Sequence, residues 1–255
     1  MFGPDPIDLL DPSPYGPLAY YGHIGIGTAA LAAVFLGFYS RKGGATHRVA
    51  GYVFMGAVGF VCLTSISMLS RNFIPPLFMA VFTSAYAVAG GWLALQRRSL
   101  KVRAAEIGLS LFLLAGILLF MTRALPAVSA GIVAPFAPLV ILAIPVILLA
   151  GDLNWFLKRQ SQKALRWRRH VNRMIWAFVV VFRAPLVELA AAGLPISQPV
   201  TIFGPILLGL LLLVYFQRRY GIKLAQKPSV FKSRSAADRY PLPNKRTWSS
   251  HIHRR

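Results

Sequence analysis

The side chains best suited to chemistry here are ionisable groups set in apolar surroundings: Arg183, Glu188 and Asp152, with His23, His47 and His170. A charge surrounded by hydrocarbon is costly, so such residues mark binding sites, ion pathways or structural clamps. Arg183 stands ten residues beyond Arg173 in the apolar run 174–194. At 1.5 Å per residue it lies about 15 Å deep, near the middle of a bilayer. Glu188 follows five positions later, which turns a helix by about 140°, so the two side chains do not pair as i,i+4 neighbours would. Pro185 between them removes a backbone donor and frees a carbonyl. Two readings stand: a ligand or ion pathway through Arg183, Glu188 and Asp152, or a structural arginine held by loosened carbonyls.

The histidines suggest a second chemistry. His47 and His170 begin apolar runs at one boundary, and His23 lies near the other. Gly51 follows His47 by one helical turn and leaves a gap on the same face, room for a neighbouring helix or a porphyrin plane. His47 and His170 are thus candidate axial ligands of a b-type haem held between the second and sixth helices. A second haem would need His23 as an outer-side ligand, paired with Met68, Met79 or Met121. Boundary histidines also cap helices or meet lipid head groups.

Asp152 is the only acidic residue near the basic segment 158–173. It is expected to neutralise Arg168, Arg169 or Arg173, and with His47, Asn154 and His170 to form a polar cluster. Such a cluster passes protons, binds an anion, or only clamps the loop. His251 and His253 are too sparse for a metal site. The chain lacks GxSxG, HExxH, GxxxxGK, CxxC and CxxCH signatures, so no enzymatic activity has positive support.

These residues must be positioned by membrane helices. The 255 residues are 56% hydrophobic and 14% charged, and the mean hydropathy is +0.58, well outside the range of ordinary soluble domains. Scanning for runs of about 20 apolar residues gives seven spans, near 19–40, 49–70, 73–96, 104–122, 134–151, 174–194 and 200–217. The short breaks at 71–72 and 195–199, with prolines beside them, read as hairpin turns. The loops on one side of these spans, with the tail, hold 25 of the 28 basic residues, and the other side holds Arg71 and Arg123. Basic loops stay in the cytoplasm. The expected fold is therefore an all-α membrane protein, a seven-transmembrane-helix bundle over 19–217, with the N-terminus outside and the C-terminus inside.

Flanking the bundle are an acidic, proline-rich leader at 1–18 and a basic tail at 218–255. The leader has three aspartates and no basic n-region, so it does not read as a cleavable signal peptide. The tail has too few aliphatic residues for a core and is expected to be disordered. Its eleven basic residues suit anionic lipid head groups, at about 1 kcal/mol each near the surface. Nucleic acid is the less favoured polyanion, because no nucleic-acid motif accompanies the charge. Gly25, Ala29, Ala33 and Gly37 recur every four residues, as do Ala87 and Gly91, and are expected to be seams for neighbouring helices or for self-association. Cys62, the single cysteine, reads as a small core hydrophobe.

The runs His23-Ile-Gly-Ile-Gly27, Lys42-Gly-Gly-Ala-Thr-His47-Arg48-Val-Ala-Gly51 and Arg169-His170-Val-Asn-Arg173-Met174, with Tyr86, Arg97, Arg98 and Asp152, resemble a group of bacterial integral membrane proteins. They are similar to relatives of the family catalogued as domain of unknown function 2306. The resemblance spans the first to the sixth helix and implies a bacterial inner-membrane location; it brings no activity. Two functions follow as expectations: a non-enzymatic carrier or accessory subunit with a polar site around Arg183 and Glu188, or a haem b electron-transfer protein using His47 and His170.

Overall fold

The computed structural model describes residues 15–97, 99–157, 163–191 and 193–225. Among these residues there are seven α-helices and no strand: α1 Pro17–Tyr39, α2 Ala45–Arg71, α3 Pro75–Leu93, α4 Leu100–Ser129, α5 Ala137–Leu157, α6 Lys163–Ala191 and α7 Gln198–Ala225. All but α6 are long and apolar enough to cross a membrane. The first half of α6 carries Lys163, Arg166, Arg168, Arg169 and Arg173. Proline opens α1 and α3 at their first turns, where no intrahelical donor is lost. Ser99 opens α4 by accepting from the Val102 amide at 3.2 Å.

Several helices outrun the apolar segments that predict them. The fourth runs 30 residues and the sixth 29, because Lys and Arg are good helix formers and prolong a helix past its apolar stretch. The same effect carries α7 into the tail, whose first eight residues, 218–225, continue the helix. The remainder of the tail, with His251 and His253, and residues 1–14 of the leader lie outside the described residues.

At the centre is α3, which packs on α2, α4, α5 and α6. In turn α6 packs on α7 and touches α1, while α1 rests almost wholly on α2. Both expected hairpins, α2 with α3 and α6 with α7, are packed pairs, whereas the consecutive helices α5 and α6 are not. The core gathers Phe54, Tyr86, Leu113, Phe120, Ile175 and Phe178. Edge-to-face rings join α1 to α6, with Phe38 and Phe178 centroids 5.2 Å apart, and Phe38 meets Phe216 of α7 at 5.8 Å. Outward-facing side chains are equally apolar: Leu63, Leu118, Leu139 and Leu211 are each more than half exposed. Water tolerates such a surface poorly, and lipid accepts it.

One expected seam is corrected. A Cβ built on Gly25 or Gly37 meets nothing within 4 Å, and Ala29 is exposed, so of the expected stripe only Ala33 is buried among the described residues. The α1 face that does meet α2 runs through Ala30, Ala33 and Val34, the larger of which fill the space. Ala87 and Gly91 do line the contact of α3 with α6.

Between α6 and α7 the fit is tighter. A Cβ on Gly209 would stand 2.4 Å from Val179 Cγ2, so the helices approach to a distance that only glycine permits. Replacing Gly209 by Ala is expected to destabilise the bundle by about 1–3 kcal/mol through overpacking, read as a lower unfolding midpoint in detergent. An unchanged midpoint would contradict this packing.

Candidate functional site

Four helices converge on a buried ionic network at the end of the bundle where the basic loops gather. It is assembled from residues one helical turn apart, which share a face: Tyr86 and Gly90 on α3, Glu106 and Ser110 on α4, and Arg169 and Arg173 on α6. Asp152 of α5 completes it. Counting from the helix ends at this side, Asp152 is five residues in and Arg173 ten, so the network occupies a layer about 8–15 Å deep.

Asp152 is the hub. Its Oδ1 accepts from Arg169 Nη2 at 2.8 Å and Nε at 3.3 Å, and also from Arg173 Nη2. Its Oδ2 accepts from Ser110 Oγ at 2.8 Å and from the Tyr86 hydroxyl. Arg169 also reaches Glu106 Oε1 through Nη1, and Arg173 donates to the Tyr86 oxygen at 2.9 Å. Aromatic faces complete both guanidinium sites, Trp155 at 4.9 Å from Arg169 and Tyr86 at 4.8 Å from Arg173. Two carboxylates thus meet two guanidiniums, and the cluster is neutral in sum. Every charged member is at most 9% exposed, so water does little of the neutralising.

Glycine makes room for it. A Cβ on Gly90 would lie 1.7 Å from Arg173 Nη1, so any other residue there would displace the guanidinium. In this way α3 lets an arginine lie flat against its backbone.

Two cavities flank the network. The larger, about 310 Å³, lies between α5 and α6 and reaches Gln217 of α7. Asp152, Asn154, Arg168, Arg169, Asn172 and Arg173 supply its polar wall. The smaller, about 140 Å³, is lined by Glu106, Gln96 and Arg166, and Arg166 donates to the Gln96 carbonyl at 2.8 Å. The indole of Trp155 borders both.

The sequence-derived candidates are distributed as follows. Of the arginines expected beside Asp152, Arg169 and Arg173 pair with it, and Arg168 makes no ion pair among the described residues. His47 and His170 lie at the same end of the bundle and make no hydrogen bond to Asp152. His47 Nδ1 donates to Gly37 O at 3.2 Å, and His170 Nδ1 to Gly91 O at 2.9 Å. Since a carbonyl only accepts, each Nδ1 carries the proton and each neutral ring keeps its Nε2 lone pair. His23, in the opposite half, is 3.1 Å from Thr64 Oγ1 and 3.4 Å from Ser65 Oγ. Arg183 and Glu188 are half-buried on α6 and not bonded to one another. Asn154 is exposed beside the larger cavity.

Lys42 closes the same end of the bundle. Its ammonium donates at 2.7 Å to the carbonyls of Gly37 and Phe38, the last turn of α1, and lies 4.8 Å above the Phe216 ring. Burial lowers its pKa from the ordinary lysine value, and the charge of Arg219 adds in the same direction.

Comparison with known proteins gave no relative: no protein-family model, curated protein or solved structure matches the chain.

Removing one partner from a buried ion pair strands the other. Asp152→Ala or Arg173→Met alone is expected to cost about 3–5 kcal/mol. The double variant should recover part of that loss, because no charge is then orphaned. A thermal-unfolding cycle in detergent measures the coupling, and strictly additive losses would show that the pair is not coupled.

Proposed function

We propose that this chain is a seven-span integral protein of a bacterial inner membrane, N-terminus outside and C-terminus cytoplasmic, acting as a non-enzymatic carrier or accessory subunit. What carries the reading is the Asp152 network: four buried charges at one level of an apolar bundle, beside a cavity at the basic end. Basic loops put that end in the cytoplasm. The seventh span is α6, whose charged first half lies in the polar layer and whose second half crosses. Along it, Arg183 and Glu188 continue the polar line from Arg173 toward the outer face, about 15–22 Å farther on. Ionisable groups placed thus are used as binding or ion-conducting sites as well as clamps. Kinship with the family named above belongs to the same proposal, as do anionic head groups as partners of the tail.

Topology is the decisive test. In a Cys62→Ala background, single cysteines at Gly43 and Gly131 should label from opposite sides of sealed spheroplasts with a membrane-impermeant maleimide, Gly131 from outside. A reporter fused after Arg255 should be active only in the cytoplasm. External activity, or recovery of the protein in the soluble fraction without detergent, would overturn the reading.

A b-type haem is a second reading, with which one arrangement is compatible. Ligating histidines commonly donate the ring nitrogen that does not bind metal to a backbone carbonyl, and both His47 and His170 do so through Nδ1. Haem between them would confer electron transfer within the inner half of the membrane. Membranes enriched in the protein should then show reduced-minus-oxidised Soret and α bands that His170→Ala abolishes, and a colourless, haem-free preparation would sink this reading.

A further inference from the structure

We infer that the cavity between α5 and α6 is a binding site for a singly charged phosphate group entering from the cytoplasmic side. The inference deepens the proposed membrane-spanning reading and rests on it. It starts from the charge balance of the walls. Asp152 and Glu106 neutralise Arg169 and Arg173, whereas Arg168, which lines the same cavity, is exposed and makes no ion pair among the described residues. Among the described lining residues one positive charge is therefore left over. A monoanion is the ligand that cancels it.

The neutral wall agrees with an acceptor-rich ligand. Asn172 accepts from the Trp176 indole through Oδ1 at 3.1 Å, which leaves its amide N–H groups as the atoms available to the cavity. Asn154 and Gln217 add amides of their own. The one carboxylate on the wall, Asp152, has both oxygens engaged by Arg169, Arg173, Ser110 and Tyr86. Guanidinium groups favour phosphate because their N–H fork matches two of its oxygens.

Shape supplies the rest. A space of about 310 Å³ holds a phosphate with a small substituent. Leu148 and Leu165 add apolar wall, and α5 and α6 are not packed on one another, so the space is bounded by side chains and not by a helix seam. Arg168 and Asp152 each stand five residues, about 8 Å, from the helix ends at the basic side, within reach of a head group or of the aqueous phase. The phosphate therefore arrives from one of two sources, an anionic phospholipid of the inner leaflet or a soluble phosphate.

The test uses the full chain in a neutral maltoside detergent and follows thermal unfolding during titration with sodium phosphate in one arm and dioctanoyl phosphatidylglycerol in the other. Dioctanoyl phosphatidylcholine, with no net charge, controls for the acyl chains, and sodium chloride at matched ionic strength controls for screening. A saturable rise of the midpoint in the phosphate arm identifies a soluble ligand; a rise with phosphatidylglycerol alone identifies a lipid. In either case Arg168→Gln should raise the half-saturating concentration about tenfold, the loss expected for one charged hydrogen bond, while Arg168→Lys keeps most of the effect. Arg168 stands outside the ion network, so its variants should unfold like the parent when no ligand is added. No saturable rise in either arm, or an equal rise in the Arg168→Gln protein, would overturn the site. Failure here with correct cysteine labelling would leave the seven-span reading standing, whereas reversed labelling would remove the cytoplasmic entrance itself.

Discussion

A buried charge has to be met by another, and this fold is organised round one such meeting. Asp152 takes hydrogen bonds from three other helices, through Tyr86, Ser110, Arg169 and Arg173. In a medium of low dielectric, leaving any of the four charges alone would cost several kcal/mol. The relative placement of α3, α4, α5 and α6 at the basic end is therefore fixed by charge neutrality, where packing alone would allow helices to slide or rotate. This matters most for α5, which is not packed on the helix that follows it. Its link to α6 is ionic.

Away from that layer the bundle is held by shape. Gly209 admits Val179, and Ala87 and Gly91 let α6 lie close to α3. Rings of Phe35, Phe38, Phe178 and Phe216 bridge α1, α6 and α7. Lipid tails are as apolar as these side chains, so the gain on association comes from close contact and not from escape from water. The polar layer supplies register and the apolar layers supply contact area.

Much of this was legible in the residues. Seven helices follow from seven apolar runs, and the hairpins follow from proline beside short polar breaks. The pairing of Asp152 with basic neighbours follows from its isolation among them. What could not be read was Glu106, since an acid one turn into an apolar helix resembles an ordinary first-turn residue favoured by the helix dipole. Ser110 was hidden for a similar reason, as a small hydroxyl that most often bonds its own helix. A usable signal did exist: Glu106 with Ser110, and Arg169 with Arg173, each stand four residues apart, so each pair shares one face. Of the stripe Gly25, Ala29, Ala33 and Gly37 only Ala33 is buried, because spacing alone does not say which face of a helix meets a neighbour. Arg183 drew attention by its depth, yet the interlocked charges lie a helical segment earlier, where the apolar run had not begun.

The order in which the ionic partners leave the ribosome adds a final consequence. Glu106 precedes Arg169 by 63 residues and Asp152 precedes Arg173 by 21. At about 5–20 residues per second, the first acid waits roughly 3–13 s for its base. Asp152 waits about 1–4 s by the same rate, so neither carboxyl has its guanidinium, and the ionic layer cannot close, until α6 is made. The bundle therefore acquires its register late, when α6 joins helices that are already made.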